Sequence, residues 1–323
     1  MKEVKYGVIS DVHSDPRIVP VAIDILKNQG AEKLLVNGDI GNQQKTLEDS
    51  QNYIAFVLDS VGKSGLEAYI GRGSHETLLA FEPVLDHFTN QFSNLIDVTK
   101  NQKIEQDGHH LVFLPGSDFL CGGEYQIGNN QIPTGRYVQT EKGLLQFKDL
   151  SQYVSAIQQG ISQGAIQYSN MKDLTKLITH PDKTIMVCHV PRKFDNLGEG
   201  IDMAEFGEVK EDFELQGEIK EKGSIYPIQI AQQMVQTGYP IELKKENRGN
   251  KDLKDLYGEI GIRKAVSGHF HESGHRANDR NGNHVQEGTN VNELFWNSGY
   301  LDNGQTGILT VNGDKVSYQN IDL

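Results

Sequence analysis

The stretch Val4–His13, with the sequence VKYGVISDVH, decides the fold of this chain. Its first seven residues alternate and then run apolar, which is typical of a buried β-strand. Asp11 and His13 follow at once, and because they are two residues apart they share one side of an extended chain. The carboxyl ends of strands are where α/β sheets usually bind ligands. The stretch therefore predicts a strand that ends in a ligand-binding pair, although two polar residues opening a surface loop would give the same pattern.

The residues after His13 predict a strand–helix–strand unit. Apolar residues recur at helical spacing over 18–26, and Lys33–Val36 is a short apolar strand followed by Gly38 and Asp39. Strands joined through a helix run parallel, so we expect Asp39 beside Asp11 at one edge of the sheet. A Gly-Asp pair taken alone would indicate only a turn.

A third strand, residues 66–70, ends in the stretch Gly71–Glu76 with the sequence GRGSHE. Glycines allow the backbone to approach a ligand closely. Ser74 and His75 then follow a strand end in the same way as Asp11 and Asp39. Ser74 could equally be the N-cap of the next helix, and His75 could be a surface histidine in its first turn.

Two later strands also end in histidine. The core strand Lys183–Cys188 is followed by His189, and the strand 265–267 is followed by Gly268 and then by His269 and His271. Two histidines two residues apart after a glycine suit a metal site. A lone strand-end histidine such as His189 is often structural.

The remaining histidines have ordinary interpretations. His109 and His110 flank a turn between two antiparallel strands, and we expect both to be structural. His275 and His284 lie in a polar stretch and are expected at the surface. The tail from residue 293 to Ile321 alternates and turns at 312–314, which predicts a β-hairpin closing a sheet.

Two regions lack a clear pattern. Residues 116–143 are rich in Gly, Asn and Gln, and residues 191–216 are acidic with scattered glycines. We expect the first to be a long loop or an irregular insert and the second to be a solvated insert, within inserts at about 116–170 and 191–250 of a single domain spanning 1–323. Long loops in compact domains often cover a binding site, so the two inserts could form a cap.

Composition excludes several classes of function. The chain has 323 residues, 37% apolar and 23% charged, which is typical of a soluble globular protein. Its net charge of −13 repels phosphate backbones, so binding to long nucleic acid is not expected, although a bound metal could attract a small anion. Cys121 and Cys188 make no disulfide framework. No apolar run is long enough for a membrane, and no segment resembles a signal peptide, so a cytoplasmic location is expected.

The residues expected at strand ends share one chemistry. Carboxylates and imidazoles without thiolates suit divalent Mn, Fe, Co, Ni or Zn, of which the sequence does not select one. Their number fits two ions sharing a bridging carboxylate, an arrangement that promotes in-line displacement at phosphorus. The set comprises Asp11, His13, Asp39, His75, His189, His269 and His271.

Taken in order, these motifs resemble the five motifs of the calcineurin-like metallophosphoesterases. The resemblance covers both ends of the chain and neither insert. It implies an α/β fold with four layers, α-β-β-α, in which two packed mixed β-sheets are flanked by helices and the dinuclear site lies at the carboxyl ends of the strands. The matching stretches are Asp11–His13, Gly38-Asp39, Gly73–Glu76, His189 and Gly268–His271.

The resemblance also implies a role for each site residue. Asp11, His13 and His271 would hold one ion, His189 and His269 would hold the other, and Asp39 would bridge them. His75 would be catalytic, because it would protonate the leaving oxygen or stabilise charge in the transition state. The third family motif usually contains an asparagine that ligates the second ion, and Ser74 stands in its place here. A serine hydroxyl is a poorer ligand, so Ser74 would coordinate weakly, act through water or leave a position open.

The implied activity is hydrolysis of a phosphate ester by in-line attack of a metal-bound hydroxide. A phosphodiester of a small or nucleotide substrate is favoured over a phosphomonoester or a phosphoprotein. The alternative of another class is a catalytically weak metal-binding scaffold, of which Ser74 would be the first sign, but a dead site has no reason to keep the other ligands and His75. Arg72, Arg136 and Arg192 are candidates to bind the substrate phosphate, although an ordinary surface position is the simpler interpretation of each. Arg192 is the best candidate because it follows a histidine-bearing strand end. The oligomeric state is not predicted.

Overall fold

A computed structural model describes residues 2–41, 43–118, 123–195 and 197–323. The first part of the chain alternates strands and helices: Val4–Ile9 (β1), Ile18–Asn28 (α1), Lys33–Val36 (β2), Leu47–Lys63 (α2), Glu67–Ile70 (β3), Leu78–Gln91 (α3) and Leu95–Asp97 (β4). The middle part contains Lys103–Gln106 (β5), His109–Leu114 (β6), Tyr125–Gly128 (β7), Gly135–Thr140 (β8), Gly143–Phe147 (β9), Leu150–Gln158 (α4), Gly164–Asn170 (β10), Leu174–Leu177 (α5) and Thr184–Cys188 (β11).

The last part is mostly β-structure. It contains Met203–Val209 (β12), Phe213–Leu215 (β13), Glu218–Lys220 (β14), Ile225–Pro227 (β15), Ile228–Gln236 (α6), Ile241–Asn247 (β16), Lys251–Ile260 (α7), Lys264–Ser267 (β17), Ala277–Asn278 (β18), Leu294–Asn297 (β19), Gln305–Asn312 (β20) and Lys315–Asp322 (β21). Short 3₁₀ turns occur at Met171–Asp173, Pro181–Lys183, His271–Ser273 and Leu301–Asn303.

Two mixed six-stranded sheets form the centre of the fold. The first has the order β21-β20-β1-β2-β3-β4, with β1 to β4 parallel and the C-terminal hairpin β20–β21 added antiparallel to β1. The second has the order β18-β19-β17-β11-β6-β5, with its four central strands parallel and its two edge strands antiparallel. The predicted parallel placement of β1 and β2, the predicted third strand and the predicted terminal hairpin are confirmed.

The buried side chains of these sheets divide between three apolar cores because successive residues of a strand point to opposite faces. In β2, for example, Leu35 faces the core between the two sheets, whereas Leu34 and Val36 face the helices α1 to α3. The outer face of the second sheet packs on α5 and α7 through Met186, Leu253 and other apolar residues. The layers are therefore helix, sheet, sheet, helix, and the predicted α/β four-layer architecture is confirmed.

The two regions without a sequence pattern contain strands that the sequence did not predict. Strands β7 and β8 lie within 116–143 and join β9 and β10 in a four-stranded sheet, while β12 lies within 191–216 and pairs with β15 and β16. These strands are only partly buried, so their composition lacks the apolar run of a central strand. Residues 119–122 and 196, including Cys121, lie outside the described residues. That the inserts cap the site, and that 1–323 is one domain, stay predictions.

Several smaller expectations can also be compared with the structure. Helix α3 begins at Leu78 after Thr77, so Ser74 is not its N-cap. His275 is only partly exposed, and its Nε2 lies 2.8 Å from the Thr306 carbonyl, which corrects the expected surface position. Cys188 is a buried free thiol. Every helix in the described part of the chain is too short or too polar to span a bilayer.

Candidate metal centre

The carboxyl ends of the parallel strands bring the sequence-predicted residues to one place. Asp11 and Asp39 follow the neighbouring strands β1 and β2, and the backbone of Val12 donates a 2.6 Å hydrogen bond to the Asp39 carbonyl. His189 and His269 follow β11 and β17, which are neighbours in the second sheet. Because the two sheets pack face to face, their strand ends share one edge of the molecule.

The backbone at this edge adopts conformations that L-residues rarely take. Asp11, Asp39 and His269 have φ values of 59°, 51° and 69°, in the left-handed region. Each such residue costs on the order of 1 kcal/mol relative to ordinary geometry. Three of the predicted ligands carry this strain, and strained residues concentrate at functional sites.

Two glycines are required by close packing around the carboxylates. A Cβ atom at Gly73 would overlap the Asp39 carboxylate, and a Cβ atom at Gly268 would overlap that of Asp11. These glycines precede Ser74 and His269, so they let the third and fifth motifs reach the aspartates. Their presence in the predicted motifs thus has a direct steric reason.

Asp11, His13 and His271 form the first donor group. The His271 Nε2 atom lies 3.3 Å from Asp11 Oδ1 and 3.3 Å from His13 Nε2, and His13 Nε2 lies 3.8 Å from Asp11 Oδ1. The loop that carries His13 is held by Asp302, whose carboxylate accepts hydrogen bonds from the backbone N–H groups of His13 and Ser14 at 2.6 and 2.7 Å.

Asp39, His189 and His269 form the second donor group. His189 Nε2 lies 3.0 Å from Asp39 Oδ2 and 3.2 Å from His269 Nδ1. The other nitrogen of His189 donates to the Asn37 carbonyl at 2.9 Å, which turns Nε2 toward the aspartate. Asp39 also belongs to a third group with His13 and His75, so its carboxylate lies between the two sides of the centre, as a bridging ligand would.

Ser74 and His75 surround the Asp39 carboxylate through their backbone. The N–H groups of Ser74 and His75 donate to Asp39 Oδ1 at 2.5 and 2.9 Å, and the Ser74 hydroxyl donates to Oδ2 at 2.8 Å. Ser74 therefore supports the bridging carboxylate in this structure. The His75 ring is about half exposed, and its Nε2 lies 4.0 Å from Asp39 Oδ2.

Burial and charge shift the pKa values of these groups strongly. Burial opposes ionisation of Asp11 and Asp39, but nearby His189 holds the pKa of both carboxyls below its usual range. Burial likewise opposes protonation of His189, yet the two carboxylates raise its pKa to about 10. Burial, with the charge of His189, lowers the pKa of His269 to about 4. Burial lowers the pKa of His75, and the charge of Asp39 opposes that shift.

The distances between the donor atoms are compatible with the binding of divalent cations. Within each of the three groups the ligand atoms all lie within 4.8 Å of one another. Two nitrogen ligands of one Zn²⁺-like ion, each at about 2.0–2.1 Å, are roughly 3.0–3.4 Å apart, and the His–His and His–Asp separations above reach that range. The residues could therefore hold two ions, while the ligand roles and the identity of the metal stay predictions.

The three arginines expected near the substrate lie in different surroundings. Arg72 is buried, with Nη1 at 2.5 Å from Asp97 and Nη2 at 3.7 Å from Glu82, so it cannot bind a substrate phosphate as proposed from sequence. Arg136 is bound to the same Glu82 at 2.7 Å. The Arg192 guanidinium lies over the rings of Phe194 and Phe295, and its described contacts include none of the predicted ligands. Its role in substrate binding stays a prediction.

Sequence reasoning missed four residues that build this edge. Asp302 holds the His13 loop, and the Tyr300 ring stacks on His271 with centroids 3.8 Å apart. Glu76 accepts from the N–H groups of Ile40 and Gly73 at 2.6 and 2.8 Å, and burial raises its pKa to about 7. Asp118 follows β6, the parallel neighbour of β11, and the same rule of polar residues after strand ends could have identified it.

Comparisons with known proteins support the fold. No family model matches the chain, and no curated protein matches it in sequence. The crystal structure of TT1561 from Thermus thermophilus aligns over 99% of both chains with a TM-score of 0.52 and 10% identity. A dimetal phosphatase from Danio rerio aligns over 99% of this chain and 98% of its own, with a TM-score of 0.49 and 11% identity. The likeness to TT1561 shows a common fold, and that fold agrees with the one implied by the motif resemblance.

Proposed function

We propose that this protein is a metal-dependent phosphoesterase that hydrolyses a small phosphate ester. The position of Asp39 carries the proposal. Its carboxylate is shared between the donor group containing His189 and His269 and the group containing His13. Two divalent cations bound at these groups would supply positive charge to the phosphoryl oxygens and lower the pKa of the attacking water.

The protein residues supply orientation and a proton. The backbone N–H groups of Ser74 and His75 keep the Asp39 carboxylate facing the two donor groups. The half-exposed His75 ring lies 4.3 Å from the His13 ring, measured between centroids, so it can reach a substrate bound at the centre. There it would donate a proton to the leaving oxygen.

A phosphodiester is the favoured substrate class because of charge. A diester phosphoryl group carries one negative charge, whereas a monoester carries up to two. Asp11 and Asp39 are both buried in the centre and the chain has a net charge of −13, so a diester meets less repulsion before it reaches the cations. The same net charge disfavours long nucleic acid as the source of that diester.

The test is turnover of bis(p-nitrophenyl) phosphate and of p-nitrophenyl phosphate by manganese-loaded protein. We expect p-nitrophenol release from both, with a higher kcat/KM for the diester. A higher value for the monoester would move the assignment to phosphomonoesterase. No release from either, with two ions bound, would favour a metal-binding scaffold.

A further inference from the structure

A cleft of about 570 Å³ lies between the two inserts. Residues 126–130 and Tyr168 of the first insert form one wall, and residues 247–250 of the second insert form the other together with Lys251 and Asp252 at the start of α7. Asp118 and Lys193 complete the lining. The volume is within the range of about 300–1,000 Å³ that is usual for small-molecule sites. The cleft can therefore hold the part of a small substrate that extends beyond its reacting phosphoryl group.

The cleft borders the candidate metal centre. Asp118 follows β6, whose last residue Leu114 is paired in register with Cys188, directly before His189. On the other wall, the backbone N–H of Asn250 donates to the Pro191 carbonyl at 2.9 Å, two residues after His189. Both walls of the cleft are thus joined through the backbone to the segment that carries His189.

Cationic side chains line the cleft in a chain that is acidic overall. Lys193, Arg248 and Lys251 face it together with Asp118 and Asp252. Lys251 already binds Asp255 at 2.5 Å, and Arg248 lies 3.9 Å from Glu246. Within the described part of the chain, Lys193 Nζ has no hydrogen bond or ion pair. Its charge is thus available to an anion that enters the cleft.

Hydrogen bonds to Asp202 and Asn250 hold the backbone around Lys193 in place. Asp202 is buried, and its Oδ2 accepts from the backbone N–H groups of Phe194 and Gly249 at 2.8 and 3.2 Å. The backbone N–H of Lys193 itself donates to the Asn250 carbonyl at 2.9 Å. Neighbouring residues in extended chain point to opposite sides, so Arg192 packs on aromatic rings while Lys193 lines the cleft.

We propose that this cleft binds the leaving group of the substrate, and that this leaving group carries a second anionic group held by Lys193 and Arg248. The amide side chains of Gln126, Asn129 and Asn130 suit hydroxyl or amide groups on the same molecule, whereas the Asn247 amide is already hydrogen-bonded to Leu197 and Asp202. The substrate class is thus a phosphate ester of a polar alcohol, such as a nucleoside, that also bears a phosphate or carboxylate. This inference rests on the proposed function.

Binding to the metal-free full-length protein tests the cleft without catalysis. Calorimetric titrations with adenosine 5′-monophosphate and with adenosine would compare the wild type, Lys193→Gln and Lys210→Gln. Lys210 is an exposed lysine of the same insert outside the lining, so it is the matched control. We expect the wild type and Lys210→Gln to prefer the monophosphate and Lys193→Gln to bind it about tenfold more weakly, which is at the low end for a charge-assisted hydrogen bond. Equal binding by Lys193→Gln and wild type, or no preference for the monophosphate, would overturn the proposal.

Kinetics of the manganese-loaded protein separate this inference from the proposed function. The dinucleotide ApA and its 5′-phosphorylated form differ only in the second anionic group. We expect the ratio of KM for the phosphorylated form to KM for ApA to rise about tenfold in Lys193→Gln. Turnover with an unchanged ratio contradicts the cleft assignment alone. Absence of turnover contradicts the proposed function, and the titrations then still decide whether the cleft binds anions.

Discussion

The two ends of the central strands carry the same residue types in different arrangements. At the carboxyl ends, the His189 and His271 rings point nitrogen atoms at Asp39 and Asp11 over 3.0 and 3.3 Å. At the amino ends, where β6 begins, the His109 Nε2 shares a 2.7 Å hydrogen bond with the Tyr6 hydroxyl. All groups of three or more close donor atoms found in the described residues lie at the carboxyl ends.

The comparison shows that the end of the strand at which a histidine lies, and not the residue type alone, indicates whether it belongs to a metal site. Parallel strands all deliver their following residues to one edge, so polar side chains after several strands must meet there. Lys33 and Glu67, at the amino ends of β2 and β3, instead form an ion pair at 2.7 Å. At the carboxyl edge the polar side chains converge as potential metal ligands, whereas at the amino edge they form ion pairs and hydrogen bonds with each other.

The largest expected effect is at the carboxyl edge. Asp39→Asn removes the charge that both donor groups share, and we expect kcat/KM on bis(p-nitrophenyl) phosphate to fall about 10⁴-fold, since bound cations contribute several kcal/mol of transition-state stabilisation. Metal content by elemental analysis should fall as well. His109→Gln, at the other edge, is the control and should keep both. An equal loss of kcat/KM and metal content in the two variants would contradict the assignment of the metal centre to the carboxyl edge.

The second largest effect is expected at His75, where substitution should distinguish a catalytic residue from a metal ligand. His75→Ala should lower kcat about 10²–10⁴-fold, the usual contribution of a general acid, because the leaving oxygen loses its proton donor. The bound metal should stay at the wild-type amount. If metal content falls in parallel with kcat, His75 is a ligand in the group with His13 and Asp39, and the assigned role is wrong.

At the amino edge, His109 should affect stability and its dependence on pH. Burial lowers the pKa of His109 to about 4, whereas an unfolded histidine titrates near 6.5. The unfolded state therefore binds the proton first, so the contribution is complete above pH 6.5 and is lost as the pH falls to 4. We expect the free energy of unfolding to decrease by about 3 kcal/mol more in the wild type than in His109→Gln over this interval.

Chemical denaturation at several pH values measures that difference. His284 is exposed, so His284→Gln should follow the wild type and serves as the control. If the His109→Gln protein shows the same pH dependence as the wild type, His109 does not resist protonation in the folded state, and its buried contact with Tyr6 does not have the structural role assigned to it.

The smallest expected effect concerns Ser74. Its hydroxyl donates to Asp39 at 2.8 Å and supports the carboxylate from outside the donor groups. Ser74→Asn would add a carbonyl oxygen as a potential ligand, so we expect manganese to bind at the weaker site about tenfold more tightly. Isothermal titration of the two proteins measures this ratio, and equal affinities would show that residue 74 does not influence the second ion.

Most of the fold and the metal centre could be predicted from sequence because both depend on local patterns. The apolar strand before Asp11 and the βαβ unit leading to Asp39 set the parallel sheet and the shared edge. Asp302 could not be found in this way, because its contact with His13 joins residues from the two ends of the chain. The short strands of the inserts were missed because edge strands such as β9, with four of five residues exposed, lack an apolar signature.

The surroundings of the arginines could not be predicted from sequence for the same reason, because they depend on contacts between residues distant in the chain. Arg72 precedes the Ser74 loop and suggested substrate binding, but it is buried with Asp97 and Glu82, which are distant in sequence. Lys193 was overlooked in favour of its neighbour Arg192, because the direction of each side chain depends on the pairing of that segment with Asn250. In both cases, contacts with residues elsewhere in the sequence determine where the side chain lies.

Anomalous diffraction from crystals soaked in manganese is the most direct test of the central claim. We predict two peaks about 3.5–4 Å apart, one bounded by Asp11, His13 and His271 and the other by His189 and His269, with Asp39 between them. A single peak that does not contact Asp39, or strong peaks only at other places on the molecule, would contradict the dinuclear centre.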